Sequence, residues 1–429
     1  MTAPTLFLVV DGVPFDMARA AWDDGLLPGW RPPKPMVSVF PSLTNVAVPA
    51  LLAGAIDVRP PGYEARHWHP PSGEHRGGLH DPSSEPGLAP YRGHPEGLVG
   101  HFSVYALRRT LAWTQIRWVG RSFRSEAGPW LGYVSATDGV GHFSGRESMN
   151  AAFRDICAAL ETARHEFAEA HGVLPRVVLC SDHGFAFADH KHLDATEMEQ
   201  QLDLAGFKVG QQGGAGVILS PMGDVGAGAA WCRPALADDV ARVIAEMPEI
   251  DVVVSRAEDG AFVYRADEHH AVARIRGTLG GPWRYQPVTG DPLQLEPIIA
   301  GLRDDKGWID DRDLFARTWD HRWPDPLRRI VEGLTTLVDW PGQVLFSLAP
   351  GWTFGPRTTR AAALLMGGQK GTHGALTRAQ STGFVATIGD GADMDAHKRF
   401  PALRPGDVFA PFADQVRAGA TGATNGSRP

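Results

Sequence analysis

The chain has 429 residues, a formal net charge of -8, and a hydrophobic fraction of 43% against 21% charged. That is enough chain for a sizeable core, and its acidic balance supplies no basic field for a nucleic-acid polymer or an anionic membrane. Three scattered cysteines, Cys157, Cys180 and Cys232, make neither a disulfide framework nor a paired-cysteine zinc site, which points to a reducing compartment.

The first apolar run, TLFLVV (5–10), predicts a buried strand, with no secretory signal expected ahead of it. No apolar run reaches the roughly 18 residues of a membrane-spanning helix, so the expected location is cytoplasmic. PFDMARAAWDD predicts a helix and MVSVF (36–40) a second strand. Residues 55–98 are crowded with Pro, Gly and His and have no periodicity, which predicts a lid or binding insertion. A helix is expected near 101–119, a strand at WLGYVSA (130–136), a long amphipathic helix near 146–170 and a strand at RVVLCS (176–181). This alternation predicts an α/β fold with a largely parallel sheet covered on both faces. From 245 to 300, IDVVVS, GAFVYRA, AVARIRG and WRYQPV predict a small antiparallel meander. A helix near 325–338 and strands at QVLFSL and GFVATIG are then expected to return the chain to the main sheet. The closing RAGATGATNGSRP is small, polar and aperiodic, and reads as disordered. The expected organisation is a catalytic domain over 1–410, with 55–128 and about 245–345 as cap segments, and a tail over 411–429.

Several strand ends carry metal-ligand chemistry. Asp11 stands where the first strand stops and Gly12 begins a turn, placed either as a ligand or as a cap for the next helix. Thr44 follows the second strand and precedes an apolar segment. Its hydroxyl would face the orphan amides of a helix amino terminus, as a nucleophile on an anion site or as a simple N-cap. Pro49 predicts that this helix begins near Val48 or is kinked there. In TDGVGH the intervening glycines predict a loop whose flexible backbone bends Asp138 and His142 onto one ion. Asp182 and His183 directly follow an apolar strand, and a buried Asp there needs a partner. His373 lies between glycines late in the chain. His190, His192 and Asp194 are expected in a charged, solvated loop, as surface or outlying residues. His67, His69, His75 and His80 lie in the Pro-rich insertion.

The ordered set VVDGV, FPSLTN with a glycine ten residues after the Thr, YVSATDGVGH, VVLCSDHGF and GTHG resembles the alkaline phosphatase superfamily, nearest its type I phosphodiesterase/nucleotide pyrophosphatase branch. The resemblance spans roughly residues 5–390. It implies an αβα sandwich around a large mixed, mostly parallel sheet, two zinc ions and a covalent phospho-threonine on Thr44. It also implies that Asp138, His142 and His373 hold one ion, and Asp11, Thr44, Asp182 and His183 the other. Mixed Asp and His donors favour zinc, with manganese as the second choice.

The expected reaction is hydrolysis of a phosphodiester or pyrophosphate bond in a small substrate. The alternatives are a phosphomonoesterase or a phosphonoacetate-type carbon-phosphorus hydrolase of the same fold, or a metal-binding protein without catalysis. The absence of a Cys-x-Pro-x-Arg run argues against sulfate ester chemistry. Asn45 and Arg66 are candidates for holding a phosphate oxygen, and Trp68, Arg66, Trp352 and Phe354 for walling the substrate.

Overall fold

The computed structural model describes residues 3–78, 81–93, 110, 114–115, 117–118, 121, 128–266 and 270–425. His80, the last four residues and most of the helix predicted near 101–119 lie outside the described residues.

Strand β1 (Thr5–Val10) is followed by helix α1 (Phe15–Asp23), β2 (Lys34–Val37) and helix α2 (Thr44–Leu52). A hairpin of β3 (Arg66–His69) and β4 (Glu74–Gly77) lies within the Pro-rich stretch. Next come β5 (Trp130–Val134), the long helix α3 (Ala136–His171), β6 (Arg176–Cys180), and the short β7 (Ala186–Phe187) and β8 (Lys191–Asp194).

β1 lies at the heart of a five-stranded sheet of order β2, β19, β6, β1, β5, in which β19 is Thr382–Ile388. It pairs in parallel with both β5 and β6, while β19 runs antiparallel to β6 and β2. Four of the five strands therefore point one way. The unbroken apolar run of β1 is buried on both faces, as a central strand requires. Leu6, Leu8 and Val10 face a core shared with Met17 of α1 and Phe153, Ile156 and Leu160 of α3. Phe7 and Val9 face the other way, against Leu51 and Leu52 of α2. Phe7 also meets Phe409 and Phe412 edge-on, at 5.3 and 5.4 Å between ring centres. These two cores make the expected αβα sandwich.

A second sheet of eight strands departs from the expected plan. It contains β9 (Lys208–Val209), β10 (Gly216–Pro221), β11 (Ala227–Trp231), β12 (Ile250–Ala257), β13 (Gly260–Arg265), β14 (Ala271–Gly277), β15 (Trp283–Thr289) and β16 (Val344–Leu348). Strands β12 to β15 form the predicted meander. QVLFSL, however, becomes β16 and sits between β12 and β11 instead of returning to the main sheet. Five fully buried residues look the same in either sheet, so their pattern did not distinguish the two.

Three further expectations are corrected. Helix α2 begins at Thr44 and carries Pro49 inside it, which rules out a start near Val48, one of the two alternatives that Pro49 raised. The TDGVGH segment is not a loop. It is the first part of α3, which breaks only at Gly145, where φ is 80°. The supposed tail over 411–425 is ordered, with a helix at Ala413–Asn425 whose Val416 is buried. Its small residues mark close approach: a Cβ on Gly419 would stand 2.5 Å from Leu131 of β5.

A buried cluster ties Arg404 to Asp311 and Asp325. Arg404 donates from Nε to Asp325 Oδ2 at 2.7 Å, and from its terminal nitrogens to both Asp325 and Asp311. Burial pulls the Asp311 carboxyl up, but Arg404 outweighs it and holds the group below the usual range. Arg404→Ala strips Asp325 of its guanidinium and leaves Asp311 only the Trp283 Nε1 donor at 2.7 Å and Arg328 at 3.7 Å, and is expected to lower unfolding stability by about 3–5 kcal/mol in a urea titration at neutral pH. Because the folded-state pKa of Asp311 is depressed, its share of this stability is present above about pH 4 and lost as the pH falls further.

Candidate metal centre

The site forms where the strands of the main sheet end, as is usual in α/β folds. Past Val10, Asp11 is followed by Gly12, whose φ of 68° turns the chain and brings its amide to Asp182 Oδ1 at 3.0 Å. A Cβ on Gly12 would press within 3.0 Å of Phe185 and 3.2 Å of His183, so the turn admits little else. Asp182 and His183 follow β6 on the neighbouring strand. From the other side, β5 runs into α3, whose first turns set Asp138 and His142 four residues apart on one face. The helix accepts glycine at 141 because Met149 fills the adjoining space, 2.4 Å from where a Cβ would stand.

These elements bring Asp11, Thr44, Asp138, His142, Asp182, His183 and His373 together. Thr44 opens α2 with Oγ1 at 3.4 Å from both Asp11 Oδ1 and His183 Nε2. His183 Nε2 is also 3.4 Å from Asp11 Oδ1 and 3.4 Å from Asp182 Oδ2. Asp138 Oδ1 lies 3.2 Å from His142 Nε2 and 3.4 Å from His373 Nε2. The His183 and His373 rings stack at 4.0 Å. Two buried three-residue sets have ligand atoms close enough for one ion: Asp138, His142 and His373, and Asp11, Asp138 and His183. Asp138 belongs to both, whereas the resemblance implied it for one alone.

Each of the three histidines turns Nδ1 to a backbone carbonyl: Gly371 for His142 at 2.9 Å, Gly184 for His183 at 2.9 Å and Ser42 for His373 at 2.8 Å. Gln369 Nε2 also approaches His142 Nδ1 at 3.2 Å, but it is itself a donor, bound to the Asp224 carbonyl at 2.8 Å. The carbonyls make Nδ1 the donor in each ring and leave Nε2 as the ligand atom, the usual arrangement behind a metal-binding histidine.

The electrostatics express the same crowding. Burial, then the charges of Asp182 and Asp138, drive the Asp11 carboxyl well above the usual range. Burial also acts to raise Asp138, but the facing His142 and His373 outweigh it and hold that carboxyl below the usual range. Burial pushes His183 down to about 4. It acts likewise on His373, where the Asp138 carboxylate prevails and raises the ring. Asp138 Oδ1 and Asp182 Oδ2 remain buried without a hydrogen-bond partner. Acceptors aimed at one another in a buried space call for protons or a cation between them, and mixed nitrogen and oxygen donors fit a divalent transition metal.

The remaining candidates fall elsewhere. Asn45 is buried beside Thr44, but its Nδ2 is committed to the Gly62 carbonyl at 2.9 Å, tying α2 to the insertion. Arg66 is exposed on the β3–β4 hairpin, outside the cluster. Trp68 is buried in the core with His75 against its edge, and Phe354 is wholly buried against Phe346, so neither is an open wall. Trp352 lies beneath Lys191. The HKHLD segment is not a solvated loop. Strand β8 pairs with β17 (Trp352–Gly355), His192 binds Asp224 at 2.9 Å, and Asp194 caps the helix at Ala195–Leu204. Sequence reasoning missed Tyr133, whose hydroxyl donates to Asp11 Oδ2, and Phe185, which packs 4.9 Å from the His142 ring. A tyrosine inside an apolar strand needs a partner for its hydroxyl, and that was the available signal.

No protein-family model matches the chain, and no curated protein matches it in sequence. Solved structures do match. Human ectonucleotide pyrophosphatase/phosphodiesterase 5 is similar over 99% of this chain and 96% of its own, at 12% identity and a TM-score of 0.50. The murine protein is similar over 96% and 95%, at 10% identity and 0.50. Its inactive threonine-to-alanine variant, in complex with AMP, matches over 97% and 95% with the same identity and score. Phosphonoacetate hydrolase from Sinorhizobium meliloti 1021 is similar over 97% and 96%, at 13% identity and 0.49. The chain therefore has the mixed α/β fold of the ectonucleotide pyrophosphatase/phosphodiesterase structures, the fold that its resemblance to the alkaline phosphatase superfamily implied.

Proposed function

We propose that the protein is a two-metal hydrolase that cleaves a phosphodiester or pyrophosphate bond in a small substrate through a phospho-threonine on Thr44. The observation that carries this reading is the position of Thr44 Oγ1, at the head of α2 and 3.4 Å from Asp11 Oδ1 and His183 Nε2. A structural N-cap threonine would not need three buried carboxylates and three histidines around it. The inactive threonine-to-alanine form of the murine protein, in complex with AMP, supports both the residue type and a phosphate-bearing ligand.

Asp138, His142 and His373 would hold one divalent ion, with Asp11, Asp182, His183 and Thr44 around the other, Asp138 standing between them. Zinc suits these donors best and manganese is the next candidate. Such ions supply charge stabilisation at the phosphoryl oxygens and lower the pKa of a coordinated hydroxyl.

The chain's own groups do the rest. Val46 and Ala47 bond back to the Leu43 carbonyl, so the amides of Thr44 and Asn45 head the helix where its dipole favours an anion. A phosphoryl group seated there meets Thr44 Oγ1 directly. The Oγ1–P bond forms as the bond from phosphorus to the leaving oxygen breaks, and the Thr44 proton passes to solvent. Water then cleaves the threonine ester and restores the hydroxyl.

Thr44→Ala is expected to lower hydrolysis of bis-p-nitrophenyl phosphate by roughly 10³-fold or more while the protein keeps bound metal; a fully active variant would overturn the covalent route. His373→Ala should lose metal and activity together, measured by elemental analysis and turnover on the same preparation. Chelation should abolish turnover and zinc restore it, and activity that survives complete metal removal would contradict the reading. Rates on the diester, on p-nitrophenyl phosphate and on phosphonoacetate, measured side by side, should rank the diester first.

A further inference from the structure

Asp11 is held from β5 and the start of α3 at three points. Its amide donates to Val134 O at 3.0 Å, and its carbonyl accepts from Thr137 Oγ1 at 2.6 Å. Its Oδ2 accepts from the Tyr133 hydroxyl. Tyr133, Val134 and Thr137 all lie within β5 and the start of α3, which also carries Asp138. The main chain of Asp11 is thus held by backbone and threonine, and its carboxylate by the tyrosine.

A carboxylate can turn about its last side-chain bond, exchanging its two oxygens. With Oδ2 tied to Tyr133, Oδ1 is the oxygen that faces Thr44 Oγ1 and His183 Nε2, each at 3.4 Å. Tyr133 is itself buried, 1% exposed, with its ring in the core behind the main sheet. As a metal ligand Asp11 is a carboxylate, and the phenol beside it is then the donor. Partners of this kind behind a metal ligand set its orientation and its basicity.

We propose that Tyr133 is a positioning residue for the candidate metal centre: its hydroxyl holds Asp11 with Oδ1 turned toward Thr44 and His183, preparing the Asp11, Asp138 and His183 set for a divalent cation. This rests on the metal-dependent reading above. The role concerns one set of ligands and not the other, because Asp11 is absent from the group of Asp138, His142 and His373. A merely structural tyrosine would carry no such asymmetry.

Tyr91 provides the control. It is buried on the same side of the sheet, 6.2 Å from the Tyr133 ring, and its hydroxyl makes no hydrogen bond among the described residues. Tyr91→Phe therefore deletes the same atom from the same core without touching a ligand.

The test is a zinc titration of the stripped full-length protein against a chromophoric chelator, for wild type, Tyr133→Phe and Tyr91→Phe. Wild type should take two ions. Tyr133→Phe should weaken one of the two steps by about 10–100-fold, and Tyr91→Phe should leave both as in wild type. Wild-type affinities in Tyr133→Phe, equal weakening of both steps, an equal effect of Tyr91→Phe, or a wild type that takes no zinc would each overturn the proposal. A wild type that binds two zinc ions but hydrolyses no phosphate ester would overturn the proposed reaction and leave the role of Tyr133 standing.

Discussion

Three carboxylates, Asp11, Asp138 and Asp182, are buried together at the carboxyl edge of one sheet, and their mutual repulsion is the constraint that the surrounding architecture answers. Carboxylates left so close and so dry are costly unless protons, cations or dipoles meet them. The answer here is built in layers. Gly12 donates its amide to Asp182, Tyr133 its hydroxyl to Asp11, and His142 and His373 face Asp138. What those groups leave unmet, on Asp138 Oδ1 and Asp182 Oδ2, is room for positive charge.

The rigidity that such a cluster needs comes from the sandwich behind it. β1 is sealed on both faces, so the residue after its end cannot drift without disturbing two cores. The stacked imidazoles of His183 and His373 are held from behind by carbonyls of Gly184 and Ser42, fixing both rings without committing the atoms that face inward. The second sheet supplies none of these charged groups. It packs the α2 side of the molecule through Val39, Phe40, Leu43, Val46 and Ala47, so it bears on the segment that presents Thr44.

Much of this was legible in the sequence, and the misses have physical causes. Asp138, His142, Asp182 and His183 stood out because Asp and His side by side at the ends of apolar runs have few structural reasons to be there, whereas Asp11 and Thr44 could equally have been helix caps and His373 was marked only by its flanking glycines and its place in the resemblance. The helical setting of Asp138 and His142 was hidden because Gly139 and Gly141 lower helix propensity, and only the packing of Met149 and Phe185 against position 141 reveals why a glycine is needed there. The C-terminal helix was hidden for the same reason, its small residues answering a close approach to β5 that no local pattern announces. Arg66 was a candidate for a phosphate oxygen by residue type, but its strand places it on an exposed hairpin edge. The assignment of QVLFSL to a sheet was beyond periodicity, since pairing partners are long-range choices.

Residue 42 and residue 374 are sewn together. The Ser42 amide bonds to Gly374 O at 3.1 Å, while the Ser42 carbonyl takes the proton of His373 Nδ1. The backbone just ahead of Thr44 and the last imidazole of the cluster are thus one local structure made from opposite ends of the chain. Contacts so distant in sequence form late and carry a large loop-closure cost. During synthesis the amino-terminal strand, the threonine and the first five acidic and histidine side chains all emerge well before the partner that closes them. A nascent chain therefore carries a cluster without its final wall until His373 and Gly374 have been made and have reached Ser42.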